Sequence, residues 1–260
     1  MARRPTRAIA KNGCVLTLAE RLLVCSCPPS QLFVVRPTDL QESYARRFGP
    51  SAQYRVAVWG VLIPFLSRWI PRESVLLDLG CGWGEFINQI EVTKKYGMDL
   101  NPDCRVKLKP EVTLLAQDCS EPWTLRDEEL DIIFTSNFFE HLPSKEHLLR
   151  TLNQAVRCLK PGGRLICLGP NIKFLHGNYW DFWDHHLPLT EESLAEGLEL
   201  AGFAIEVQVA RFLPYRMVRG FVPPLMLVRI YLRYPSLWRF VGKQFLIVAT
   251  KPASLVAKGI

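Results

Sequence analysis

A glycine-rich turn between two apolar segments constrains the fold of this chain more than any other feature. The segment 75–79 is apolar apart from Asp78, and three glycines alternate with other residues in the segment 80–84 that follows. The apolar run predicts a buried strand, and the glycines predict a tight turn after which a helix begins. A second predicted strand, 95–99, ends in Asp99. A ligand can approach the glycine backbone closely, and the acid beside it can bind two ribose hydroxyls. Together these features indicate a nucleoside pocket.

The spacing of these glycines narrows the choice of nucleotide. A dinucleotide-binding turn has the form G-x-G-x-x-G, whereas this turn has Gly80-x-Gly82-x-Gly84 with Glu85 next. A carboxylate in the first turn of the predicted helix suits the helix dipole but would repel a pyrophosphate. The turn is therefore better suited to a nucleoside whose other end is cationic.

At these positions the chain resembles the class I S-adenosylmethionine-dependent methyltransferases, and further motifs of that family follow in order. The segment 112–119 reads as a third strand ending in an acid, and 130–142 reads as a fourth strand leading into a helical turn. The segment 159–168 reads as a helix end, a Pro-Gly-Gly turn and a fifth strand. The resemblance covers roughly residues 43–252.

The resemblance implies an α/β fold with a Rossmann-like, doubly wound sheet of seven strands in the order 3-2-1-4-5-7-6, strand 7 being antiparallel. Apolar runs place the strands near 75–79, 95–99, 112–116, 131–136, 163–168, 204–210 and 244–250. Helical spacing of apolar residues predicts a helix over 51–70, ended by Pro71. A second helix is predicted from Thr190, a favourable N-cap residue, to Ala201, with Gly202 closing it.

Composition divides the chain into a leader, a methyltransferase domain and a tail. Residues 1–42 are expected to be a poorly ordered leader, because their apolar stretch is interrupted by Glu20-Arg21 and fits neither a signal peptide nor a membrane span. The domain is placed at 43–252, and a tail follows at 253–260. Within the domain, 212–240 is an insert between the last two strands, which prolines divide into short helices. Its interleaved apolar residues and arginines fit either a lid over the acceptor pocket or an element resting on anionic lipid.

Cysteine content and charge bear on the compartment and on the partners. The eight cysteines form no C-x-x-C pair and no zinc-type cluster, which favours reduced thiols in a cytoplasmic protein. The second interpretation of the insert adds peripheral contact at the inner face of the membrane. A net charge of +7 allows an anionic partner without identifying it. The oligomeric state is left open.

The family's motifs imply how the cofactor is bound. Asp99 binds the ribose hydroxyls, Asp118 accepts a hydrogen bond from the adenine amino group, and the fourth motif lines the cofactor near the sulfonium. The expected cofactor-binding residues are Asp78, Gly80, Cys81, Gly82, Gly84, Asp99, Leu100, Asp118, Cys119 and Asn137.

Two segments after the fifth strand, 169–174 and 179–186, are expected to bind the acceptor, because ligands bind outside the carboxyl ends of such strands. Their aromatic residues and carboxylates suit a sugar or a flat polar acceptor. The expected acceptor-binding residues are His141, Asn171, Tyr179, Trp180, Asp181 and Trp183. Asp184, His185 and His186 are candidate general bases for a hydroxyl acceptor. No metal centre is expected, since Asp181, Asp184 and His185 lack an evident fourth ligand.

The sequence thus predicts methyl transfer to a small molecule, a sugar or a lipid-linked saccharide. Methylation of a nucleic-acid base is disfavoured, because Asn137-Phe138-Phe139-Glu140 lacks the prolines of the amino-methylase motif and no separate basic module is present. Two alternatives from other classes stay open: a nicotinamide-dependent oxidoreductase, and a non-catalytic protein that binds S-adenosylmethionine.

Overall fold

The computed structural model describes residues 37–215 and 222–253, and a seven-stranded sheet forms their centre. The strands are β1 (Val75–Leu79), β2 (Lys94–Met98), β3 (Val112–Leu115), β4 (Leu130–Ser136), β5 (Leu159–Pro170), β6 (Ala204–Leu213) and β7 (Gln244–Thr250). They are ordered β3-β2-β1-β4-β5-β7-β6, and β7 is antiparallel to both of its neighbours. The predicted strand order and the antiparallel seventh strand are confirmed.

Seven α-helices accompany the sheet in the described ranges. They are α1 (Pro37–Phe48), α2 (Ala52–Leu66), α3 (Cys104–Lys107), α4 (Lys145–Cys158), α5 (Glu191–Leu200), α6 (Leu225–Arg233) and α7 (Trp238–Val241). Short 3-10 turns lie at Gly49–Ser51, Phe139–His141, Ile172–Phe174, Asn178–Asp181 and Pro235–Leu237. None of the helices in these ranges has the length and apolarity needed to cross a membrane.

Each face of the sheet carries its own apolar core, because neighbouring residues of a strand point to opposite faces. Leu77 and Ile133 belong to the core shared with α4 and α5. Leu76 and Phe134 belong to the core shared with α2 and the α6 region. The sheet is therefore covered on both sides, as the near-continuous apolar strands require.

Helix α5 begins as the sequence predicts. The Thr190 hydroxyl accepts a hydrogen bond from the Ser193 backbone N–H, and the Ser193 hydroxyl accepts one from the Thr190 backbone N–H. This reciprocal capping box satisfies two N–H groups that a helix start leaves unpaired. After the helix, Gly202 has a φ of 101°, which glycine adopts without strain.

The helix predicted after the glycine turn is wrong. Residues 83–91 form successive turns, held by hydrogen bonds such as Asn88 N to Gly84 O (3.0 Å) and Ile90 N to Phe86 O (3.1 Å). The chain must return along β1 so that Lys94 pairs with Val75. The 14 residues between Leu79 and Lys94 also contain the glycine turn, and the hydrogen bonds after that turn do not extend into a regular helix.

The ends of the domain differ from the prediction in one detail. Helix α1 begins at Pro37, before the expected domain start at residue 43. The remainder of the expected leader, residues 216–221 of the insert, and 254–260 of the tail lie outside the described residues. The helix predicted over 51–70 spans Ala52–Leu66 and is followed by turns up to Pro71.

Candidate active site

The glycine turn follows β1 at the carboxyl edge of the sheet and requires glycine at its alternate positions. The φ angles of Gly80, Gly82 and Gly84 are 76°, 51° and 79°, a region that other residues rarely adopt. A Cβ atom on Gly80 would lie closer than 3.0 Å to the Phe138 ring, and one on Gly82 equally close to the Tyr44 hydroxyl. The turn thus combines left-handed backbone with close approach of other groups, as a cradle for a ligand does.

Asp99 connects the end of β2 to this turn. Its Oδ2 accepts a hydrogen bond from Gly82 N (2.8 Å), and its Oδ1 accepts one from Asn101 N (2.8 Å). Burial raises the pKa of its carboxyl group, and these backbone N–H groups partly offset that rise. A carboxylate has about four lone-pair sites, so capacity is left for a hydroxyl of a ribose.

Asp78 lies behind the turn and is only 3 % exposed. Burial raises the pKa of its carboxyl group well above the usual range, and the nearby carboxylates of Glu85 and Asp99 add to the rise. The Ile87 backbone donates a hydrogen bond to it. Asp78 is therefore placed to brace the turn, while Glu85 pairs with Arg55 across 2.9 Å.

The third motif presents Asp118 and Cys119 after β3. Asp118 is exposed, and its Oδ1 accepts hydrogen bonds from the backbone N–H and the hydroxyl of Ser120, both at 2.8 Å. Burial raises the pKa of the Cys119 thiol to about 11, so this group is neutral at physiological pH. Leu100, at the end of β2, is 50 % exposed and offers apolar surface beside these groups.

Asn137 follows β4 in a conformation that is unusual for a residue other than glycine. Its φ is 51°, and its backbone N–H donates to Leu168 O at 3.0 Å. Its side-chain nitrogen donates to the Ser136 hydroxyl (3.1 Å), whereas the buried Oδ1 has no hydrogen-bond partner among the described residues. A strained residue with a free buried acceptor is a feature of ligand sites, and this oxygen suits a cationic group.

Residues of α1 and α2, which the sequence analysis did not single out, cover the glycine turn. The Tyr44 ring packs on the Trp83 indole with centroids 5.2 Å apart, and the Arg55 guanidinium lies 4.1 Å over the Phe48 ring. No local pattern identifies these residues, because their role depends on contacts with segments distant in sequence.

Asp184 is one of the three candidate bases, and it is held by Arg47 and His141. Its Oδ1 and Oδ2 accept hydrogen bonds from Arg47 at 2.7 and 3.0 Å, and Oδ2 lies 3.2 Å from His141 Nδ1. Burial alone would raise its pKa, but the hydrogen bonds from His141 and Arg47 lower it well below the usual range. A carboxylate so stabilised is a weak proton acceptor, and its geometry is that of an orienting group.

His185 is buried, with 3 % of its surface exposed, whereas its neighbour His186 is exposed. Its Nδ1 lies 2.8 Å from the carbonyl oxygen of Tyr179. A carbonyl only accepts, so Nδ1 carries the proton and Nε2 holds the lone pair. Nε2 is buried without a hydrogen-bond partner in the part of the chain that the structure describes. Burial, with the nearby His141, lowers the pKa of His185 to about 4, so the ring is neutral.

Glu140 lies beside these histidines and was not a sequence candidate. It is 2 % exposed, and its Oε1 is likewise without a partner in the described ranges. Burial raises the pKa of its carboxyl group to about 7. Its backbone carbonyl accepts hydrogen bonds from His186 N (2.8 Å) and Leu187 N (3.1 Å), which join the turn after β4 to the segment after β5.

The other expected acceptor-binding residues divide into buried and exposed groups. Asn171 is fully buried, and its amide donates to Glu191 and to the Ala210 carbonyl. Tyr179 is also fully buried and donates from its hydroxyl to Leu187 O at 2.6 Å. Both hold the loop together and present no free polar group to an acceptor. In contrast, Trp180 (58 % exposed), Trp183 (94 % exposed) and Asp181 lie at the surface.

Comparison with known families gives one matching model. The model, described as a methyltransferase domain, matches residues 51–208, which is more than half of the chain. Among curated proteins, an uncharacterized protein of Methanocaldococcus jannaschii is 30 % identical over 181 residues, which are 66 % of this chain and 72 % of that protein. A tRNA (carboxymethyluridine(34)-5-O)-methyltransferase of Arabidopsis thaliana is 27 % identical over 143 residues, 52 % of this chain and 34 % of that protein.

Two solved structures share the fold. A chain from the complex that contains the Haloferax volcanii Trm112 methyltransferase activator superposes with a TM-score of 0.61 at 18 % identity, over 81 % of this chain and 97 % of that one. A SAM-dependent methyltransferase of Archaeoglobus fulgidus superposes with a TM-score of 0.54 at 24 % identity, over 74 % of this chain and 94 % of that one.

Proposed function

The chain belongs to the methyltransferase-domain family and is an S-adenosylmethionine-dependent methyltransferase, and we propose that its acceptor is a hydroxyl group of a small molecule, a sugar or a lipid-linked saccharide. The observation that carries this proposal is the pair of buried, unpartnered acceptor atoms, Glu140 Oε1 and His185 Nε2, in the described structure. Buried polar atoms normally have partners. Two adjacent acceptors call for a ligand that donates a hydrogen bond, as a hydroxyl does.

The residues around the glycine turn fit the cofactor. Gly80 and Gly82 allow the Phe138 ring and the Tyr44 hydroxyl to lie against the turn, Asp99 keeps capacity to accept a further hydrogen bond, and Asn137 Oδ1 is a buried acceptor without a partner in the described residues. We assign ribose binding to Asp99, adenine binding to Asp118 with Cys119 and Leu100, and contact with the cationic end to Asn137. When bound, the cofactor supplies a methyl group already activated on a sulfonium.

The protein's task is then to place the acceptor oxygen in line with that methyl group. Such positioning contributes on the order of 7–11 kcal/mol in the best intramolecular models. Of the three candidate bases, His185 has a buried lone pair on Nε2, on the side of the ring away from the Tyr179 carbonyl. We therefore propose that His185 Nε2 accepts the hydrogen bond of the acceptor hydroxyl. Asp184 orients His141, and the exposed rings of Trp180 and Trp183 offer stacking surface for a sugar.

A lipid-linked acceptor is supported by the insert. Since β6 and β5 are both antiparallel to β7, β6 runs parallel to β5 and the insert leaves the sheet at the carboxyl edge. Met226, Leu227 and Phe240 are 64 %, 45 % and 79 % exposed. Arg229, Arg233 and Arg239 are exposed beside them, and the segment 222–241 contains no acidic residue. Exposed apolar side chains with only positive charge suit an anionic bilayer surface.

The acceptor class is tested by mass spectrometry after lysate is incubated with the protein and S-adenosylmethionine carrying a deuterated methyl group. Lysate is used because the Haloferax neighbour occurs in a complex with an activator protein. We expect the label as a methyl ether in the small-molecule, saccharide or lipid fraction. Label confined to RNA, the acceptor of the Arabidopsis relative, or a labelled N-methyl or C-methyl product, would contradict the proposal.

Two pairs of variants assign the labelled product to the proposed residues and surface. His185→Gln should lose most of the labelling while binding the cofactor normally, whereas His176→Asn, at an exposed left-handed position that Asn also adopts, should keep it. Phe240→Ser should weaken sedimentation with phosphatidylglycerol vesicles, whereas Leu200→Ser, at an exposed position of α5, should not. Equal binding to neutral phosphatidylcholine vesicles, or none by the wild type, would refute the lipid contact.

A further inference from the structure

We propose that Glu140, His141 and His185 bind a divalent transition-metal ion of the zinc type beside the acceptor site. Each of the three residues offers one ligand atom, and these atoms all lie within 4.8 Å of one another. Two histidines and one glutamate are a ligand set that zinc uses in catalytic sites, where the fourth position is left for water or substrate. The inference rests on the proposed function and refines it: Glu140 and His185 would coordinate the ion, and the acceptor hydroxyl would bind the ion instead of accepting atoms of these two residues.

The hydrogen bonds of both histidines leave the same nitrogen available. His185 Nδ1 is anchored on Tyr179 O at 2.8 Å. His141 Nδ1 is anchored on Asp184 O at 2.9 Å and lies 3.2 Å from Asp184 Oδ2. Metal-binding histidines characteristically donate their other ring N–H to a carbonyl or a carboxylate, which fixes the ring and directs the remaining nitrogen to the ion. Both rings of the cluster show this arrangement.

Two buried atoms of the cluster lack the partners that a purely structural role would give them. Glu140 and His185 are 2 % and 3 % exposed, and Glu140 Oε1 and His185 Nε2 make no hydrogen bond within the described ranges. A buried carboxylate needs a partner or a metal. Arg47, the nearby guanidinium, is committed to Asp184 through two hydrogen bonds. Glu140 Oε1 therefore remains available to a ligand from outside the chain.

The cluster is held in place before any ion binds. Backbone hydrogen bonds from His186 and Leu187 to the Glu140 carbonyl join the two segments that carry the ligands. The His141 and His185 rings meet edge to face with centroids 5.0 Å apart, and the Phe182 ring packs on His185 at 4.9 Å. These contacts fix the ring positions, as the surroundings of metal-binding histidines do.

Cys81, Asp99 and Cys104 form a second group with ligand atoms at the same spacing. Its members are already engaged, because Asp99 accepts from Gly82 N and Asn101 N, and the Cys104 thiol donates to Gly82 O at 2.9 Å. That group belongs to the cofactor turn. Only the histidine cluster combines ligand spacing with free buried atoms in the described part of the chain.

An ion at this position would act on the acceptor hydroxyl. A hydroxyl bound at the open position has a lowered pKa, as metal-bound water does. Its proton passes to solvent water, and the oxygen forms a bond to the methyl carbon as the sulfur–carbon bond breaks. Atoms and charge balance, with S-adenosylhomocysteine and one proton as the other products.

The test measures metal binding itself as well as activity. The full-length protein is stripped with a chelator and titrated with Zn²⁺ by calorimetry, and with Co²⁺, whose visible absorption reports its ligands. We expect one ion per chain, retained in His176→Asn and lost in His185→Ala and Glu140→Gln. Asp184→Asn should bind the ion up to about tenfold more weakly, since it removes the carboxylate 3.2 Å from His141 Nδ1 while the Asp184 carbonyl keeps its hydrogen bond. Since Glu140→Gln can fail to fold, His185→Ala and Asp184→Asn carry the comparison if it does.

The outcomes separate this inference from the proposed function. Zinc binding that is unchanged in His185→Ala and Asp184→Asn, or absent from the wild type, overturns the metal site. Full O-methylation by metal-free protein also overturns it while leaving the hydroxyl acceptor intact. Zinc binding that depends on His185, together with label found only in non-hydroxyl products, refutes the proposed acceptor and supports the metal site.

Discussion

Substitution of Gly80 by alanine tests whether the turn after β1 is shaped for a ligand. Gly80 and Gly162 have almost the same φ angle, 76° and 78°, so alanine at either position meets the same left-handed strain, about 1–2 kcal/mol. They differ in their surroundings. A Cβ on Gly80 would lie closer than 3.0 Å to the Phe138 ring, whereas one on Gly162 would meet nothing within 4 Å.

The difference between these two variants has a calculable size. Overpacking of a well-filled site costs about 1–3 kcal/mol, so Gly80→Ala should lower the free energy of unfolding by about 2–5 kcal/mol in total and Gly162→Ala by about 1–2 kcal/mol. Because Phe138 and the turn both line the proposed cofactor site, Gly80→Ala should also weaken S-adenosylmethionine binding at least tenfold. That loss corresponds to about 1.4 kcal/mol of binding free energy.

Urea denaturation and calorimetric titration measure the two effects independently. Gly162→Ala should bind the cofactor like the wild type, since Gly162 lies in the bend of β5 at the opposite edge of the sheet. The double variant Gly80→Ala/Phe138→Ala should show a coupling energy of 0.5 kcal/mol or more, in the range usual for residues in contact. Equal destabilisation by the two single variants, with unchanged cofactor affinity in both, would refute the close approach of Phe138 to the turn.

Three further predictions concern single residues. Asn137→Gly should relieve the strain of a φ of 51° and raise the free energy of unfolding by up to about 1 kcal/mol, while it lowers the rate of methyl transfer. A variant that is no more stable than the wild type and fully active would argue against a ligand role for Asn137. Thr190→Ala removes one half of the capping box and should cost about 0.5–2 kcal/mol in thermal unfolding without changing cofactor affinity, and a loss of affinity would place α5 in the site. The pKa of Glu129 is lowered to about 2, chiefly by the hydrogen bond from Tyr96. The interactions of the ionised carboxylate therefore stabilise the fold above pH 4.5, and this stabilisation is lost as the pH falls from about 4.5 towards 2. In Glu129→Gln, the unfolding free energy should therefore change less between pH 4.5 and pH 2 than in the wild type, by on the order of 1 kcal/mol after solvent screening. The same pH dependence in both proteins would contradict the lowered pKa of Glu129.

The features that the sequence predicts well depend on local patterns. Apolar runs mark the strands because both faces of the sheet are covered, and the alternate glycines mark the turn because its φ angles exclude other residues. Thr190 and Ser193 lie three residues apart, so their capping box is visible in the sequence itself. The family resemblance adds the strand order, which no local pattern specifies.

The features that it misses depend on contacts between distant segments. Arg47 and Asp184 are 137 positions apart, and nothing near either residue indicates their pairing. Glu140 follows β4 like any acid of a helical turn, and only the surrounding structure shows that it is buried against His185. The helix predicted after the glycine turn is a second miss, because the turns found there are not distinguished from a helix by the local pattern. Asn171 and Tyr179 illustrate the reverse case, because their polar groups are engaged within the loop rather than facing an acceptor.

The central claim is that the carboxyl edge of the sheet, organised by Asp99, binds S-adenosylmethionine. Calorimetric titration of the wild type and of Asp99→Ala tests it most directly, with Asp181→Ala, at an exposed carboxylate away from the turn, as the matched control. The wild type and Asp181→Ala should bind one equivalent of S-adenosylmethionine, and Asp99→Ala should bind it at least a hundredfold more weakly while remaining folded at the temperature of the titration. Equal affinity in Asp99→Ala and the wild type, or binding of a nicotinamide dinucleotide in place of S-adenosylmethionine, would contradict the account.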